Sequence, residues 1–275
     1  MFPEVIMNDT PTVNPSDPPE GSADTLSGLP DWFTKGEIIP LDDQTALVVR
    51  HETMRSITGV LRDIAETPGP VLLTGETGVG KSLLCRFIHA NQDPYASFVS
   101  ITTAGLDATF LAGRIFGDGS PKDSGQPLLA EAAGGTLVLE EMGDLPRSIQ
   151  ERLLADWNAP HTAKAPGPRQ WICTTNLSRR ALLAPGAMVP GFLERFRHVH
   201  VPPLRERKQD IPAMVAYFSR LKSSKEASLR SLEALANRLA RHNFPGNVRE
   251  LESIVSLEAS GMPWQWQIVG SGKIP

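Results

Sequence analysis

Short apolar runs alternate with amphipathic stretches along most of this chain. Stretches 52–64 and 148–157 carry apolar residues at helical spacing. The apolar runs read as buried strands because each is a short block rich in aliphatic or β-branched residues. They are PVLLTG (70–75), FVSIT (98–102), TLVLEE (136–141), WICTT (171–175) and HVHVP (198–202). Strands that alternate with helices predict an α/β fold, with a parallel sheet covered on both faces.

The pattern changes after about residue 210, where helical spacing continues without further strands. The segments with this spacing are PAMVAYFSRLK (212–222), SLEALANRLARH (231–242) and NVRELESIVSLEA (247–259). They predict a small helical subdomain beside the sheet. Residues 1–29 are rich in Pro, Ser, Asp and Gly and show no periodicity. We expect them to be disordered, because they cannot bury enough apolar surface to offset the entropy of ordering.

Composition and charge narrow the classes of function. Hydrophobic residues make up 40% and charged residues 21% of the chain, as in globular proteins. No apolar run approaches the roughly 18 residues of a membrane span, and the start does not read as a signal peptide. A formal net charge of −4 without a basic stripe argues against direct DNA binding. Cys85 and Cys173 lie in apolar segments, which predicts reduced core thiols of a cytoplasmic protein.

The sequence GETGVGKS (75–82) fits the pattern G-x-x-x-x-G-K-[ST] and lies between a predicted strand and a predicted helix. Glycines let backbone N–H groups close around phosphate oxygens, and the helix N-terminus adds a favourable dipole. We expect Lys81 to reach the β- and γ-phosphates of ATP and Ser82 to hold Mg²⁺. The predicted nucleotide contacts are Gly75, Glu76, Thr77, Gly78, Val79, Gly80, Lys81, Ser82 and Leu83.

A pair of glutamates ends the strand in TLVLEEMGDLP. Glu140 would help to hold Mg²⁺, and Glu141 would polarise the water that attacks the γ-phosphate. Two adjacent glutamates are more often part of a solvated loop. Their position at the end of a buried strand, about sixty residues after a phosphate-binding loop, favours the catalytic interpretation.

Three longer strings make the chain resemble a known family. GGTLVLEEMGDLP, PPLRERKQDIP (202–212) and NFPGNVREL (243–251) follow GETGVGKS in this order. Together they resemble the AAA+ domain of bacterial enhancer-binding proteins, ATPases that remodel RNA polymerase carrying sigma-54. The resemblance runs from about residue 47 to residue 257. It implies a P-loop NTPase (AAA+) subdomain at 30–207, a helical lid at 208–260 and a tail at 261–275.

The resemblance also assigns roles to single residues. Asn176 falls where the family places a polar sensor of the γ-phosphate, although an Asn that terminates a strand is an alternative. Arg249 matches a second sensor, an arginine of the lid that reaches the phosphates. The alternative is a surface pair between Arg249 and Glu250 or Glu252.

The family also sends arginine fingers from one subunit into the active site of the next. Arg195 is our first candidate for this role and Arg197 the second. A solvated arginine without a catalytic role is an alternative for either. Fingers act between subunits, so the resemblance implies a homo-oligomeric ring, or a mixed ring with a related activator.

Parts that the family uses to reach its target differ here. The segment DGSPKDSGQPLLAEAA (118–133) stands where the family carries its GAFTGA loop, which touches sigma-54. It is shorter and has no aromatic side chain, which argues against direct contact with sigma-54. The second pore insertion, NAPHTAKAPGPRQ (158–170), is abbreviated as well. We recognise neither a receiver domain nor a helix-turn-helix.

These observations suggest three candidate functions. The first is an AAA+ ATPase that forms a ring, hydrolyses Mg-ATP and acts in transcription regulation through partner proteins. The second is a co-regulator that binds ATP, hydrolyses it slowly or not at all and modulates a complete activator ring. A P-loop kinase of a small molecule is disfavoured, because the lid and PGNVREL are typical of ring ATPases.

Overall fold

A five-stranded parallel sheet forms the centre of the protein. The computed structural model describes residues 37–42, 45–117, 126–158, 167–222 and 229–260. The strands are β3 (Pro70–Thr74), β4 (Phe98–Thr102), β5 (Thr136–Glu140), β6 (Gln170–Thr175) and β7 (Arg197–His200). Their order across the sheet is β4-β5-β6-β3-β7, and every neighbouring pair is parallel. The predicted α/β architecture is therefore confirmed, and each predicted strand is present.

A small antiparallel hairpin precedes the sheet. It consists of β1 (Glu37–Pro40) and β2 (Ala46–Val49), with Ile38 paired with Val48. The sequence analysis did not predict this hairpin. Its strands are only four residues long, and a short apolar run such as ALVV carries little signal of its own.

Helices cover both faces of the sheet. Helices α1 (Glu52–Glu66) and α2 (Lys81–Gln92) bury Leu61 and Ile88 against one face. Helices α3 (Ala108–Phe116), α4 (Leu128–Glu131) and α5 (Arg147–Asn158) pack on the other face, and α6 (Arg179–Leu182) adds Leu182 to the same cluster. Cys85 and Cys173 belong to clusters on opposite faces, and both are buried free thiols.

Three helices after the last strand form the lid. They are α7 (Ile211–Lys222), α8 (Leu229–Leu239) and α9 (Asn247–Ala259). Their buried residues form a separate cluster, which also takes in Val48 of β2 and Leu204. The lid therefore rests on the hairpin as well as on the chain that leaves β7. The subdomain limits 30–207 and 208–260 stay predictions, and the tails 1–29 and 261–275 lie outside the described residues.

A buried ion pair ties the lid to the start of α1. The Asp210 carboxylate accepts hydrogen bonds from the backbone N–H groups of Arg50 (2.9 Å) and His51 (2.6 Å). It lies 3.5 Å from the guanidinium of Arg207, and both side chains are almost fully buried. Burial lowers the pKa of Arg207 while the neighbouring carboxylate opposes that shift, so the guanidinium remains charged. The pair therefore links residues 207–210 to residues 50–51, two segments that are far apart in sequence.

Among the described residues, no helix is both long enough and apolar enough to cross a membrane.

Replacing Asp210 with Ala should destabilise the fold strongly. The substitution leaves the buried Arg207 charge without its carboxylate and removes the acceptor of two backbone N–H groups. Breaking a buried pair in this way costs about 3–5 kcal/mol. Urea unfolding measures the change. Glu151→Ala, which breaks an exposed pair with Arg147, should cost less than about 1 kcal/mol. Equal losses in the two variants would contradict the assignment.

Candidate functional site

A cavity of about 450 Å³ opens at the carboxyl edge of the sheet. Strands β3, β5 and β6 all end there, so the residues that follow them in sequence are brought to one place. The cavity is walled by four parts of the chain: the hairpin, the loop after β3 with the start of α2, the end of β5, and the lid. Its polar lining includes Lys81, Ser82, Glu140, Glu141 and Arg249. Its apolar end includes Leu47, Met54, Met214, Tyr217 and Phe218.

The loop after β3 needs its glycines for two physical reasons. Gly75, Gly78 and Gly80 all have positive φ angles, of 152°, 79° and 106°. Such angles suit glycine, which has no Cβ to clash with the backbone. A Cβ on Gly78 would lie 2.3 Å from the carbonyl oxygen of Gly246. The loop is thus pressed against the lid so closely that only glycine fits.

Helix α2 points its N-terminus at the cavity. Its N-cap is Gly80, which has no side chain to accept hydrogen bonds from the first turn. The first N–H groups of any helix lack partners within the helix and carry partial positive charge. With Ser82 and Leu83 also lining the cavity, this end of α2 offers backbone donors to an anion. A phosphate group fits this donor set.

Lys81 places a buried ammonium group beside these donors. Its Nζ donates hydrogen bonds to the carbonyl oxygens of Gly75 (2.7 Å) and Glu76 (3.1 Å). Burial lowers the pKa of Lys81, and the nearby carboxylate of Glu141 counters that shift. The loop therefore holds the lysine in place and keeps a cation at the base of the cavity.

Glu140 and Glu141 differ in backbone conformation. Glu140 is the last residue of β5, whereas Glu141 lies in the left-handed region at φ 57°. A non-glycine residue in that region costs about 1–3 kcal/mol and persists only where neighbouring contacts fix it. The hydroxyl of the buried Thr103 donates to the carbonyl oxygens of Glu140 (3.0 Å) and Glu141 (2.9 Å). Thr103 thus fixes the turn that directs Glu141, and sequence reasoning missed it.

The polar groups at the end of β5 suit a divalent cation shared with a phosphate. The described residues contain no group of three or more His, Cys, Asp and Glu side chains that could hold a metal by themselves. Mg²⁺ does not require one, because it binds through one or two carboxylates, waters and substrate phosphates. Ser82 and Glu140, the two ligands predicted from the sequence, both line the cavity.

Of the two predicted sensors, one is part of the cavity lining and the other is not. Arg249 lines it, and its backbone N–H lies 3.3 Å from the carbonyl oxygen of Gly78. Glu250, one of its alternative partners, instead accepts a hydrogen bond from the N–H of Gly246 (2.8 Å). Asn176 follows β6, is exposed and is not part of the lining. Its backbone N–H lies 3.4 Å from the Glu141 carboxylate, so the contact with the candidate base runs through the backbone.

The two candidate fingers have different surroundings. Arg197, at the start of β7, donates to the hydroxyl of Thr67 (2.8 Å) and to the carbonyl oxygen of Ile64 (3.4 Å). Burial lowers the pKa of Arg197. Arg195 ends a short 3₁₀ turn and is exposed. Neither residue lines the cavity of its own chain.

Glu76 does not line the cavity, although it belongs to the predicted binding loop. Its carboxylate receives hydrogen bonds from both terminal nitrogens of Arg205 (2.8 and 2.5 Å) and from the Asn247 amide (3.1 Å). These contacts, Arg205 first, lower the pKa of Glu76 to about 2. Neither Arg205 nor Asn247 was singled out from the sequence. The only signal for them was their place in PPLRER and PGNVREL.

Two segments that bear on partner contact are not among the described residues. Residues 118–125, most of the polar segment DGSPKDSGQ, and residues 159–166 of the second insertion lie outside the described residues.

Comparisons with known proteins agree with this architecture. Residues 47–163 match the Sigma-54 interaction domain family, and residues 205–259 match the AAA+ ATPase lid domain family. The chain is 31% identical over 229 residues to the DNA-binding transcriptional regulator NtrC of Azospirillum brasilense, covering 78% of this chain and 48% of NtrC. It is 34% identical over 236 residues to the nitric oxide reductase transcription regulator NorR1 of Cupriavidus necator, covering 80% of this chain and 46% of NorR1.

A solved structure has the same fold. NtrX from Brucella abortus, crystallised in complex with ATP, superposes with a TM-score of 0.64 at 25% identity, over 80% of this chain and 54% of NtrX. The same protein in complex with ADP also gives a TM-score of 0.64. This chain spans about half the length of these relatives.

Replacing Thr103 with Val should loosen the turn at Glu141. The isosteric change removes the hydroxyl that donates to two carbonyls, at a cost of about 1 kcal/mol. The amide of Asp144, which donates to the Glu141 carbonyl (3.1 Å), should exchange its hydrogen faster. Hydrogen exchange measures this effect locally. Thr58→Val removes a buried hydroxyl within α1 and should leave the Asp144 amide unchanged. Unaltered exchange in Thr103→Val would contradict the assigned role.

Proposed function

This chain belongs to the AAA+ ATPase domains of the sigma-54 activator type, and on that premise we propose that it binds and hydrolyses Mg-ATP. One observation carries the proposal. The cavity brings together a helix N-terminus, the buried ammonium of Lys81, the carboxylates that end β5 and a lid arginine. That NtrX was crystallised with ATP and with ADP supports a nucleotide as the ligand.

Each polar group has a distinct task in this proposal. The backbone N–H groups of the loop and of α2 hold the β-phosphate, and Lys81 neutralises charge on the β- and γ-phosphates. Ser82 and Glu140 would hold Mg²⁺, which would supply positive charge against the negative charge that develops on the phosphates during hydrolysis. Glu141 orients and polarises the attacking water. Arg249 binds the phosphates from the lid.

The apolar end of the cavity suits the base of the nucleotide. Leu47, Met54 and Tyr217 lie there, between the hairpin and the lid. A flat heterocycle buries its faces against such side chains, which is the usual composition of a cofactor pocket. The base would therefore touch the hairpin, helix α1 and the lid at once.

Hydrolysis in this proposal also requires a second subunit. No arginine beyond Arg207 and Arg249 lines the cavity among the described residues, and Arg207 already binds Asp210 and backbone carbonyls. Arg195 is exposed and does not line the cavity of its own chain, which supports a role in the site of a neighbouring subunit. We therefore favour it over Arg197 as the finger of a homo-oligomeric or mixed ring. Such an arginine raises the rate by about 10³ to 10⁵.

In the cell, the proposed role is transcription regulation through partner proteins. The relatives NtrC and NorR1 are transcription regulators by name, and the chain matches the Sigma-54 interaction domain family. The polar, shortened segment 118–133 argues against direct contact with sigma-54 by this chain alone.

A second candidate is a co-regulator that binds ATP but turns it over slowly. The contact between the Asn176 N–H and the Glu141 carboxylate favours it, because a carboxylate that accepts this bond is less available to a water. On this alternative the chain joins or modulates a complete activator ring.

Specific ATPase activity should rise with protein concentration. A ring enzyme borrows an arginine from its neighbour, so dilution removes the finger and lowers the rate per subunit. Phosphate release, measured across a concentration series, tests this expectation. Arg195→Ala should reduce the rate by at least about 10³ at saturating concentration, while Arg197→Ala should reduce it much less.

Two variants separate binding from chemistry in the same assay. Lys81→Ala should lose ATP affinity, whereas Glu141→Gln should retain ATP and lose turnover. Calorimetric ATP binding with an activity that is negligible and flat with concentration would favour the co-regulator. The absence of any ATP or ADP binding would refute both candidates.

Sigma-54 should not be retained by the chain in a transition-state complex with ADP. The segment 118–133 lacks the aromatic side chains that anchor protein interfaces. A pull-down with immobilised protein measures retention, and a complete activator of this family serves as the positive control. Clear capture of sigma-54 by this chain would overturn the inference.

A further inference from the structure

The backbone carbonyls of the phosphate-binding loop accept hydrogen bonds from the lid and from the segment that leads into the lid. The carbonyl oxygen of Gly78 accepts hydrogen bonds from the N–H groups of Val248 (2.9 Å) and Arg249 (3.3 Å). The carbonyl of Val79 accepts one from the buried Arg207 guanidinium (2.6 Å). The carbonyl of Thr77 accepts one from the side-chain amide of Asn247 (3.0 Å). Three successive carbonyls of the loop therefore have donors from one neighbouring region.

Asn247 is the centre of this contact. It is fully buried and adopts a left-handed conformation at φ 54°, which asparagine tolerates better than most residues. Its Oδ1 accepts a hydrogen bond from the N–H of Leu204 (2.8 Å). Its Nδ2 donates to the Thr77 carbonyl and to the Glu76 carboxylate (3.1 Å). One side chain thus joins the lid, the turn after β7 and the loop.

Glu76 reinforces the same contact with charge. Arg205 donates two hydrogen bonds to it, and together with Asn247 lowers its pKa to about 2. The carboxylate is therefore ionised at neutral pH and accepts from the amide of Asn247 as a charged acceptor. Hydrogen bonds to charged groups are stronger than those between neutral groups.

Peptide geometry connects these outer contacts to the inner face of the loop. A trans peptide is planar, and its C=O and N–H point in opposite directions. A Thr77 carbonyl fixed toward Asn247 therefore sets the direction of the Gly78 N–H. The Val79 carbonyl, fixed toward Arg207, sets that of the Gly80 N–H in the same way. Backbone N–H groups in this loop are the donors that hold a β-phosphate.

We propose that Asn247 is a positioning residue for phosphate binding, acting through the peptide that follows Thr77. This inference rests on the proposed function, because it assumes that the loop binds a nucleotide. On this proposal the lid contributes to the phosphate site in two ways. It orients the backbone N–H groups of the loop by binding the loop carbonyls, and it supplies Arg249 to the cavity. Movement of the lid then changes phosphate affinity through the loop amides as well as through Arg249.

Asn247→Asp is the substitution that tests the proposal. Aspartate has nearly the same size and still accepts from the Leu204 N–H, but it cannot donate to Thr77 and brings a second carboxylate against Glu76. We expect ADP and ATP affinity to fall about 10-fold, because residues that share a hydrogen bond are energetically coupled. AMP lacks the β-phosphate and should lose far less. If Asn247 had a purely structural role in the lid, the substitution would lower the affinity for all three nucleotides by the same factor.

A second substitution separates loss of the Thr77 contact from repulsion between two carboxylates. In the double variant Glu76→Gln, Asn247→Asp, the glutamine amide can donate to the aspartate, which removes the repulsion but leaves the Thr77 carbonyl without its donor. We expect it to bind ADP as weakly as Asn247→Asp alone. Asn237→Asp makes the same chemical change on the exposed face of α8 and should bind ADP like the unsubstituted chain. Isothermal calorimetry gives the affinities, and thermal unfolding shows that each variant is folded.

The outcomes are distinct. A selective loss of affinity for ADP and ATP that persists in the double variant supports the proposal. Unchanged ADP affinity in folded Asn247→Asp, or full recovery in the double variant, overturns it. If that variant does not fold, Arg205→Met and Glu76→Gln weaken the same contact from its exposed side, and unchanged ADP affinity in both overturns the proposal. If the unsubstituted chain binds no ADP, the proposed function fails and this inference with it.

Discussion

The arrangement of this site depends on one constraint: a backbone that turns its N–H groups toward a phosphate must turn its carbonyl groups the other way. Carbonyls directed into the protein need donors, because an unpaired buried polar group costs about 1–3 kcal/mol. Here the donors come from Val248, Arg249, Asn247 and Arg207. The same contact explains why residue 78 is glycine, since a Cβ there would meet the Gly246 carbonyl at 2.3 Å.

Electrostatics follow from this backbone frame. The loop carbonyls of Gly75 and Glu76 hold the Lys81 ammonium, and Glu141 offsets the cost of burying it. Glu141 itself is held in a strained turn by the Thr103 hydroxyl. Positive and negative groups therefore face one cavity at fixed positions, which is the preorganisation that phosphoryl transfer requires. The buried Arg207–Asp210 pair extends the frame to the hairpin that walls the apolar end.

Much of the fold was predictable because its signals are local. Blocks such as FVSIT and WICTT predict buried strands, and helical spacing predicts α1, α5 and the lid helices. The glycines of GETGVGKS and the acidic end of β5 predict a phosphate site from neighbouring residues alone. The hairpin β1–β2 was missed because two four-residue strands carry little pattern. The role of the hairpin is visible only in the tertiary structure, where Val48 packs against the lid.

By itself, the sequence determined the type of fold and brought Lys81, Ser82, Glu140 and Glu141 to the cavity, since strand periodicity, glycine spacing and the glutamate pair act over a few neighbouring residues. Only the tertiary structure decided how those residues are supported. Thr103, Arg205 and Asn247 are separated by up to 171 residues from the groups that they hold, and no local pattern encodes such a contact. It also decided that Glu76 faces Arg205 instead of the cavity, because the direction of a side chain depends on what the whole chain places beside it.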